Sequence, residues 1–511
     1  MTLLESPLTF ASVWEATVDR RADSLFLIFE GSDGQVSEWT YGEFDGIVDR
    51  AAATLVSNGV EAGSAVHMAL ANCPAFVAVW LAAIRLGAWV VTSDPMGGRV
   101  ELQGHIQRTR PAVGVCASER VDVYRSACGS LRVVVIEEQD PAMTVLGDDP
   151  VRSWTVPAPT DRAAVMFTSG TTGTPKGVEV TQANYAFAGR IMSAAAGLGE
   201  TDRQLVVLPL FHANAQYYSF AASIWTGASV ALMSSFTASG FLGQAARHRA
   251  TTASLFAAPM RMILARGGPV DDVLLRQCWF AQNLATEQYQ TISNWLGCRP
   301  RQLYGMTETI PAVLSCDPDE GEHSSMGRVT AGCLVDVQRP DGTTVEVGEV
   351  GEVVVGGDRG TTLFAGYLDD PDTTAASFRN GWFLTGDRAT RDVDGRHFFD
   401  GRRSDILKVS GENVSVVEVE AVLAGHPAVL EAAVVGRFDE VRDEVPVAFV
   451  VADPSVPPPT TAELDTWCAG RLTRAKRPVR ITMLDELPRT SVGKIRKFLL
   501  QDFNHGGECP R

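Results

Sequence analysis

Up to about residue 310 the chain alternates short runs that are apolar at nearly every position with longer stretches that are apolar on one helical face. Residues 65–71, 88–92, 163–168, 205–208, 229–233, 253–257 and 276–281 read as strands buried on both faces, and residues 183–195 and 287–296 as helices between them. Residues 74–91 are apolar enough to suggest a membrane span, but Arg85 and Gly87 break the run. It reads instead as a buried helix over 75–86 leading into a strand. This alternation predicts an α/β architecture with mostly parallel sheets. Between about 325 and 400, Gly and Asp turns punctuate short alternating strands such as 351–355 and 397–399, which predicts a small antiparallel or barrel-like subdomain. From 401 a compact αβ unit follows, with helices near 416–424 and 461–472, strands near 432–435 and 445–451, a Pro-rich surface loop at 454–459 and a basic loop in the last twenty residues. The expected division is a large domain over 1–400 and a small, mobile αβ domain over 401–511.

Charge narrows the partners. The 511 residues carry a net charge of −17, so the surface repels nucleic acid and anionic membranes. A phosphate-rich ligand must then be gripped by a local site. The nine cysteines are scattered without a CxxC pair, which points to a reducing compartment and away from a disulfide framework or zinc site. Met1-Thr2-Leu3-Leu4-Glu5-Ser6 has no basic stretch and an early acid, so no signal peptide is expected and the location is read as cytoplasmic. The oligomeric state is left open, a homodimer being one option.

The sharpest motif is Phe167-Thr168-Ser169-Gly170-Thr171-Thr172-Gly173-Thr174-Pro175-Lys176-Gly177, which follows an apolar strand and precedes a segment read as helical. Glycines let the backbone bend round an anion, small hydroxyls add donors, and Lys176 adds a point charge. The run lacks the Gly-Lys-Ser/Thr ending of a Walker A loop. Downstream come Leu208-Pro209-Leu210-Phe211-His212, Tyr304-Gly305-Met306-Thr307-Glu308-Thr309, Gly351-Glu352, Gly366-Tyr367 and Thr385-Gly386-Asp387. Gly401-Arg402-Arg403-Ser404-Asp405-Ile406-Leu407-Lys408, Gly411-Glu412-Asn413 and Pro488-Arg489-Thr490-Ser491-Val492-Gly493-Lys494-Ile495 complete the series.

In this order and spacing, the motifs resemble those of the adenylate-forming (ANL) superfamily of acyl-CoA synthetases, peptide-synthetase adenylation domains and luciferases. The resemblance implies an acid–thiol ligase, an AMP-forming acyl-CoA synthetase using ATP, Mg²⁺ and coenzyme A, with a small carboxylic acid as partner. It implies that Thr168, Ser169, Gly170, Thr171, Thr172, Gly173 and Lys176 hold the β- and γ-phosphates. Tyr304, Gly305 and Thr307 lie on the nucleotide, Glu308 on Mg²⁺, and Asp387 on the ribose with Arg402 in support. Lys494 bridges the carboxylate and α-phosphate, offsetting the charge that develops when two anions meet. Gly411 belongs to the pantetheine tunnel, His212 is an aromatic gate, and the hinge falls at Ser404 or Asp405.

Two departures bear on the acid. Amino-acid-activating relatives carry an Asp soon after the Pro-Leu-Phe-His position, whereas residues 211–218 hold no acid beside Asn214. A buried ammonium there lacks a partner, which disfavours an α-amino acid and carnitine itself. The expected acyl wall is Tyr217, Phe220, Trp225, Phe256, Trp279, Phe280, Ala281 and Met306, suited to a bulky apolar acid. The second departure is Phe280-Ala281-Gln282-Asn283-Leu284 where most relatives have a Gly-rich turn, a pattern that, with Tyr-Gly-Met-Thr-Glu-Thr-Ile, resembles the carnitine-type CoA ligases. Gln182 also replaces a usual His. If Phe280 and Gln282 crowd the reacting groups, adenylation is the weak step; otherwise the turn only reshapes the pocket. The competing readings are an enzyme that mainly thioesterifies a supplied adenylate, one that loads a carrier-protein pantetheine, and a non-catalytic acyl or adenylate sensor.

Overall fold

A computed structural model describes residues 8–147, 156–168, 175–318, 320, 323–402, 406–409, 412–439, 442–454, 456–489 and 495–502. The chain forms two compact units, Met1–Val335 with Val355–Phe383, and Asp336–Val354 with Leu384–Arg511.

The first unit holds two large sheets. One has nine strands in the order Arg328–Val329, Leu314–Ser315, Arg301–Tyr304, Gln277–Phe280, Thr252–Ser254, Arg203–Val206, Ser229–Met233, Leu25–Glu30 and Val36–Thr40. The run from Arg301–Tyr304 to Leu25–Glu30 is parallel, and antiparallel strands finish both ends. The other has seven strands, of which Arg162–Thr168, Trp89–Thr92, Ala65–Ala69, Val113–Ala117 and Arg132–Ile136 are parallel. Helix Pro74–Arg85 is buried along its whole length, as its uninterrupted apolar pattern requires, and Pro74 occupies the first turn, where no amide partner is needed. Helix Gln182–Ala196 begins at a reciprocal Thr181–Asn184 cap and stops at Gly197 in the left-handed conformation. The α/β architecture with mostly parallel sheets is thus the one that the alternating pattern predicts.

Two local readings change. The segment after the Gly/Thr-rich run is first a strand, Lys176–Thr181, antiparallel to Arg162–Thr168, and the helix starts only at Gln182. The period-two burial of Val178 and Val180 is the signal for it. The expected strand at 253–257 is Thr252–Ser254, because Ala257 opens the helix Ala257–Arg266.

Alternation along the nine-stranded sheet sends side chains to two separate cores. Leu27, Phe29, Val206, Val230, Leu232, Trp279 and Leu303 join one, while Ile28, Leu205, Val207, Ala231, Met233, Cys278 and Phe280 join the other. Leu334–Gln338, Gly351–Gly356, Phe378–Arg379, Trp382–Arg391 and His397–Arg402 belong to a five-stranded sheet, the element expected as a barrel-like subdomain.

In the second unit, Val429–Asp439 and Asp443–Ala452 form a long antiparallel pair, joined by Ile406–Val409, Glu412–Ser415 and Arg480–Met483. Val434, Ala448 and Val450 pack against helices Val416–Ala424 and Thr461–Ala469 through Val419, Leu423 and Leu464. Ala433, Val447 and Phe449, on the opposite face, meet Leu487 and Leu500. Leu500 lies on a short helix, Lys497–Asp502, within the stretch expected as a basic loop. No helix among the described residues is long and apolar enough to cross a membrane.

Candidate active site

Four adjacent parallel strands of the nine-stranded sheet end in motif residues. After Arg203–Val206 comes the Pro209–His212 run; Phe256 follows Thr252–Ser254; Ala281 follows Gln277–Phe280; Gly305, Met306, Thr307 and Glu308 follow Arg301–Tyr304. The carboxyl edge of a parallel sheet is where ligands of open α/β folds bind. Residues 208–212 are pinned by Asn72, whose amide donates to the Leu208 and Met233 carbonyls at 3.1 Å each and accepts the Leu210 N–H at 2.8 Å.

The Thr307–Glu308 segment is tightly specified. Thr309 Oγ1 accepts the Met306 N–H at 3.0 Å. The buried Ile310 has φ +71° and ψ −82°, a strained conformation for a β-branched residue, stored beside the motif. Glu308 is only 5% exposed and accepts a hydrogen bond from the Tyr367 hydroxyl at 3.1 Å. The Tyr367 ring in turn carries the Lys176 ammonium 4.8 Å from its centre. Burial, and then the Glu308 charge, push the Tyr367 phenol far up, so it remains a donor. Burial likewise raises Tyr217, with Glu308 among the charges that act on it.

Gly305 has no room for a side chain. A Cβ there would lie 2.8 Å from the Tyr218 hydroxyl, 2.9 Å from the Pro311 carbonyl oxygen and 3.0 Å from Ala312 Cα. Two of these are backbone atoms, so Gly305→Ala should displace Thr307 and Glu308. A shift of about 1 Å costs around a hundredfold in rate. Pyrophosphate exchange retained at the native rate would show that the segment tolerates the shift.

Lys176 and Thr168 are register partners in the hairpin whose loop holds Ser169, Gly170, Thr171, Thr172 and Gly173, residues that lie outside those described. In the second unit Arg402 and Asp387 are also register partners, and Arg402 Nε meets Asp387 Oδ1 at 2.9 Å, with Asp387 4% exposed. Lys494, Gly411, Ser404 and Asp405 lie outside the described residues. The flanks of Lys494 are ordered: Arg489 bridges to Ile495, the Arg496 N–H donates to the Pro488 carbonyl at 2.8 Å, and Arg489 pairs with Glu431.

The chain matches the AMP-binding enzyme family over residues 14–368 and the AMP-binding enzyme C-terminal domain over residues 418–494. It belongs to that family. It is 32% identical over 505 residues to a crotonobetaine/carnitine–CoA ligase of Salmonella arizonae, covering 95% of this chain and 97% of that protein. Its structure is similar to a benzoate CoA ligase from Burkholderia xenovorans, with TM-score 0.87, 25% identity and coverage of 97% and 100% of the two chains. It is also similar to an o-succinylbenzoate CoA synthetase from Bacillus subtilis in complex with its acyl-adenylate intermediate, with TM-score 0.85, 26% identity and 99% of each chain covered. The chain is accordingly an AMP-forming acyl-CoA ligase that proceeds through an acyl-adenylate, with ATP and CoA as substrates and Mg²⁺ as the expected ion.

Within this AMP-binding enzyme the expected acyl wall is split by the sheet. Tyr217 and Phe220 lie on the wide-turned helix Asn214–Ala221, fully buried in the same core as Trp279, with Trp225, Ala281 and Met306 packed at its margin. Arg301 stacks on Trp279 at 4.2 Å. Phe256 is half-buried at the start of its helix. Phe280 is 0% exposed and faces the other core, against Tyr289. Gln282 is exposed with φ +75°. Gln182, suspected of weakening adenylation, is buried and uses both ends structurally, donating to the Ile84 carbonyl and accepting the Ala11 N–H.

A buried chain of polar side chains that forms no sequence motif runs through the first unit. His67 Nδ1 lies 2.7 Å from the Tyr124 hydroxyl, and Ser93 Oγ lies 3.0 Å from His67 Nε2 and 2.8 Å from His105 Nδ1. No spacing rule joins these residues, since His67 lies in strand Ala65–Ala69, Ser93 just past strand Trp89–Thr92, His105 on helix Arg99–Thr109 and Tyr124 on helix Val121–Cys128. Burial first, and neighbouring charge second, push His67 down to about 3 and His105 down to about 4 from 6.5. Both stay neutral in the folded protein while the unfolded chain takes up protons below about pH 6.5, so stability is full above that value and declines as pH falls toward 4. Thermal denaturation should therefore show a falling Tm between pH 7 and 5, with a shallower fall in His105→Phe. Equal slopes would mean that His105 does not contribute.

Proposed function

We propose that this ligase activates a bulky, apolar carboxylic acid. The observation that carries the reading is the buried aromatic cluster of Tyr217, Phe220 and Trp279 on one face of the sheet, with no carboxylate among residues 211–225 to balance a substrate ammonium. Thr168, Lys176 and the loop between them hold the β- and γ-phosphates, Thr307 meets the α-phosphate, and Asp387, steadied by Arg402, binds the ribose. Glu308 fits Mg²⁺, because this ion is usually held by one or two carboxylates together with substrate phosphates, and Glu308 offers a buried carboxylate oriented by Tyr367. Mg²⁺ supplies charge neutralisation at the phosphates when bound.

The acid carboxylate attacks the α-phosphate while Lys494 offsets the developing charge, pyrophosphate leaves, and the CoA thiol then displaces AMP from the acyl carbon. For the second step the C-terminal domain, hinged at Ser404 or Asp405 just after residue 400, withdraws Lys494 and presents Gly411 to the pantetheine arm, past the His212 gate. The burial of Phe280 on the opposite face supports adenylation at ordinary rates over an enzyme confined to thioesterification.

A hydroxamate and CoA-thioester screen over aromatic, terpenoid, fatty and ammonium-bearing acids tests the substrate. Bulky apolar acids should give the highest kcat/KM, with AMP released in step. Preferred turnover of carnitine or an α-amino acid would overturn the reading.

A further inference from the structure

We propose that His105 and Arg108 are positioning residues that clamp both ends of the phosphate loop. They lie three apart on helix Arg99–Thr109 and so share a face. The His105 imidazole stacks on the Phe167 ring with centroids 3.9 Å apart and planes 3° from parallel. The Arg108 guanidinium lies 4.9 Å from the centre of the same ring and donates to the Pro175 carbonyl at 2.6 Å. Phe167 immediately precedes Thr168 and Pro175 immediately precedes Lys176, the pair that closes the loop. One helix face therefore grips the residue just before the closing pair and the last residue of the loop that the pair encloses. His105 is itself held through Ser93 to His67 and Tyr124 in the interior.

The loop needs such a support. A glycine-rich sequence has many backbone conformations open to it, and ordering one around phosphate oxygens has an entropic cost. Fixing the two ends beforehand lowers the ordering cost that ATP must overcome. The benefit applies to ligands that reach the loop, so it separates ATP from AMP.

The inference rests on reading residues 168–176 as the site of the β- and γ-phosphates, and the test separates the two claims. Calorimetric titration with Mg·ATP and with AMP needs no knowledge of the acid. His105→Ala and Arg108→Ala should each weaken ATP by about tenfold, the scale of one lost hydrogen bond or stack. AMP affinity should stay as in the native protein, and His105→Phe, which keeps the stack, should restore ATP binding. If both nucleotides weaken equally, or neither changes, the clamp is refuted. Thr171→Ala tests the underlying reading: if it too leaves ATP binding unchanged, the loop assignment fails; if it weakens ATP while the helix variants do not, only the clamp fails.

Discussion

Lys494→Ala should lower adenylate formation by about 10²–10³-fold, the loss typical of removing one group aimed at developing charge. Attack by CoA on a supplied acyl-adenylate should be nearly unaffected, because in the proposed second step the C-terminal domain has withdrawn Lys494 from the reacting groups. The base of the Lys494 segment is fixed independently of this side chain. The Arg489–Ile495 bridge, the Arg489–Glu431 ion pair and the 2.8 Å Lys497–Glu420 ion pair hold its flanks, and Leu487 and Leu500 are buried on either side. The variant should therefore fold normally. Separate assay of the two half-reactions reads the result directly, and equal losses in both would make Lys494 a structural residue.

Glu308→Gln is the second substitution with a large expected effect. The amide keeps the shape and can still accept the Tyr367 hydroxyl, but it removes the charge that suits Mg²⁺. Adenylation should fall by about 10²–10³-fold at ordinary Mg²⁺, with a raised Mg²⁺ requirement. Stability should not fall, since a buried charge is replaced by a neutral group of equal size. Tyr367→Phe should give a smaller loss in the same direction, because it only releases the carboxylate from its donor. A Glu308→Gln enzyme with native rate and native Mg²⁺ dependence would exclude Glu308 from the metal.

Much of this was legible in the sequence because it depends on local order. Fully apolar runs mark strands covered on both faces, and Val90, Val165 and Val230 lie in such strands. Motif residues after strands Arg301–Tyr304 and Arg203–Val206 fall at the carboxyl edge because parallel strands all end there. What the sequence hides is which face a strand residue meets and what reaches it from elsewhere. Trp279 and Phe280 look equivalent as neighbours in an apolar run, yet the pleat sends them to different cores. Tyr367 stands 59 residues from Glu308, and Arg108 stands 67 from Pro175, so no spacing rule joins them. The strand Lys176–Thr181 was legible in its period-two pattern but masked by the expectation that a helix follows a phosphate loop.

Isotope transfer tests the central claim, ligation through an acyl-adenylate, most directly. An acid accepted in the screen is labelled with ¹⁸O in both carboxylate oxygens and turned over with ATP, Mg²⁺ and CoA, and the products are weighed by mass spectrometry. Attack of the carboxylate on the α-phosphate predicts one ¹⁸O in AMP, one retained in the acyl-CoA carbonyl, and none in pyrophosphate. Label in inorganic phosphate with ADP as the other product, or AMP free of label, would contradict it.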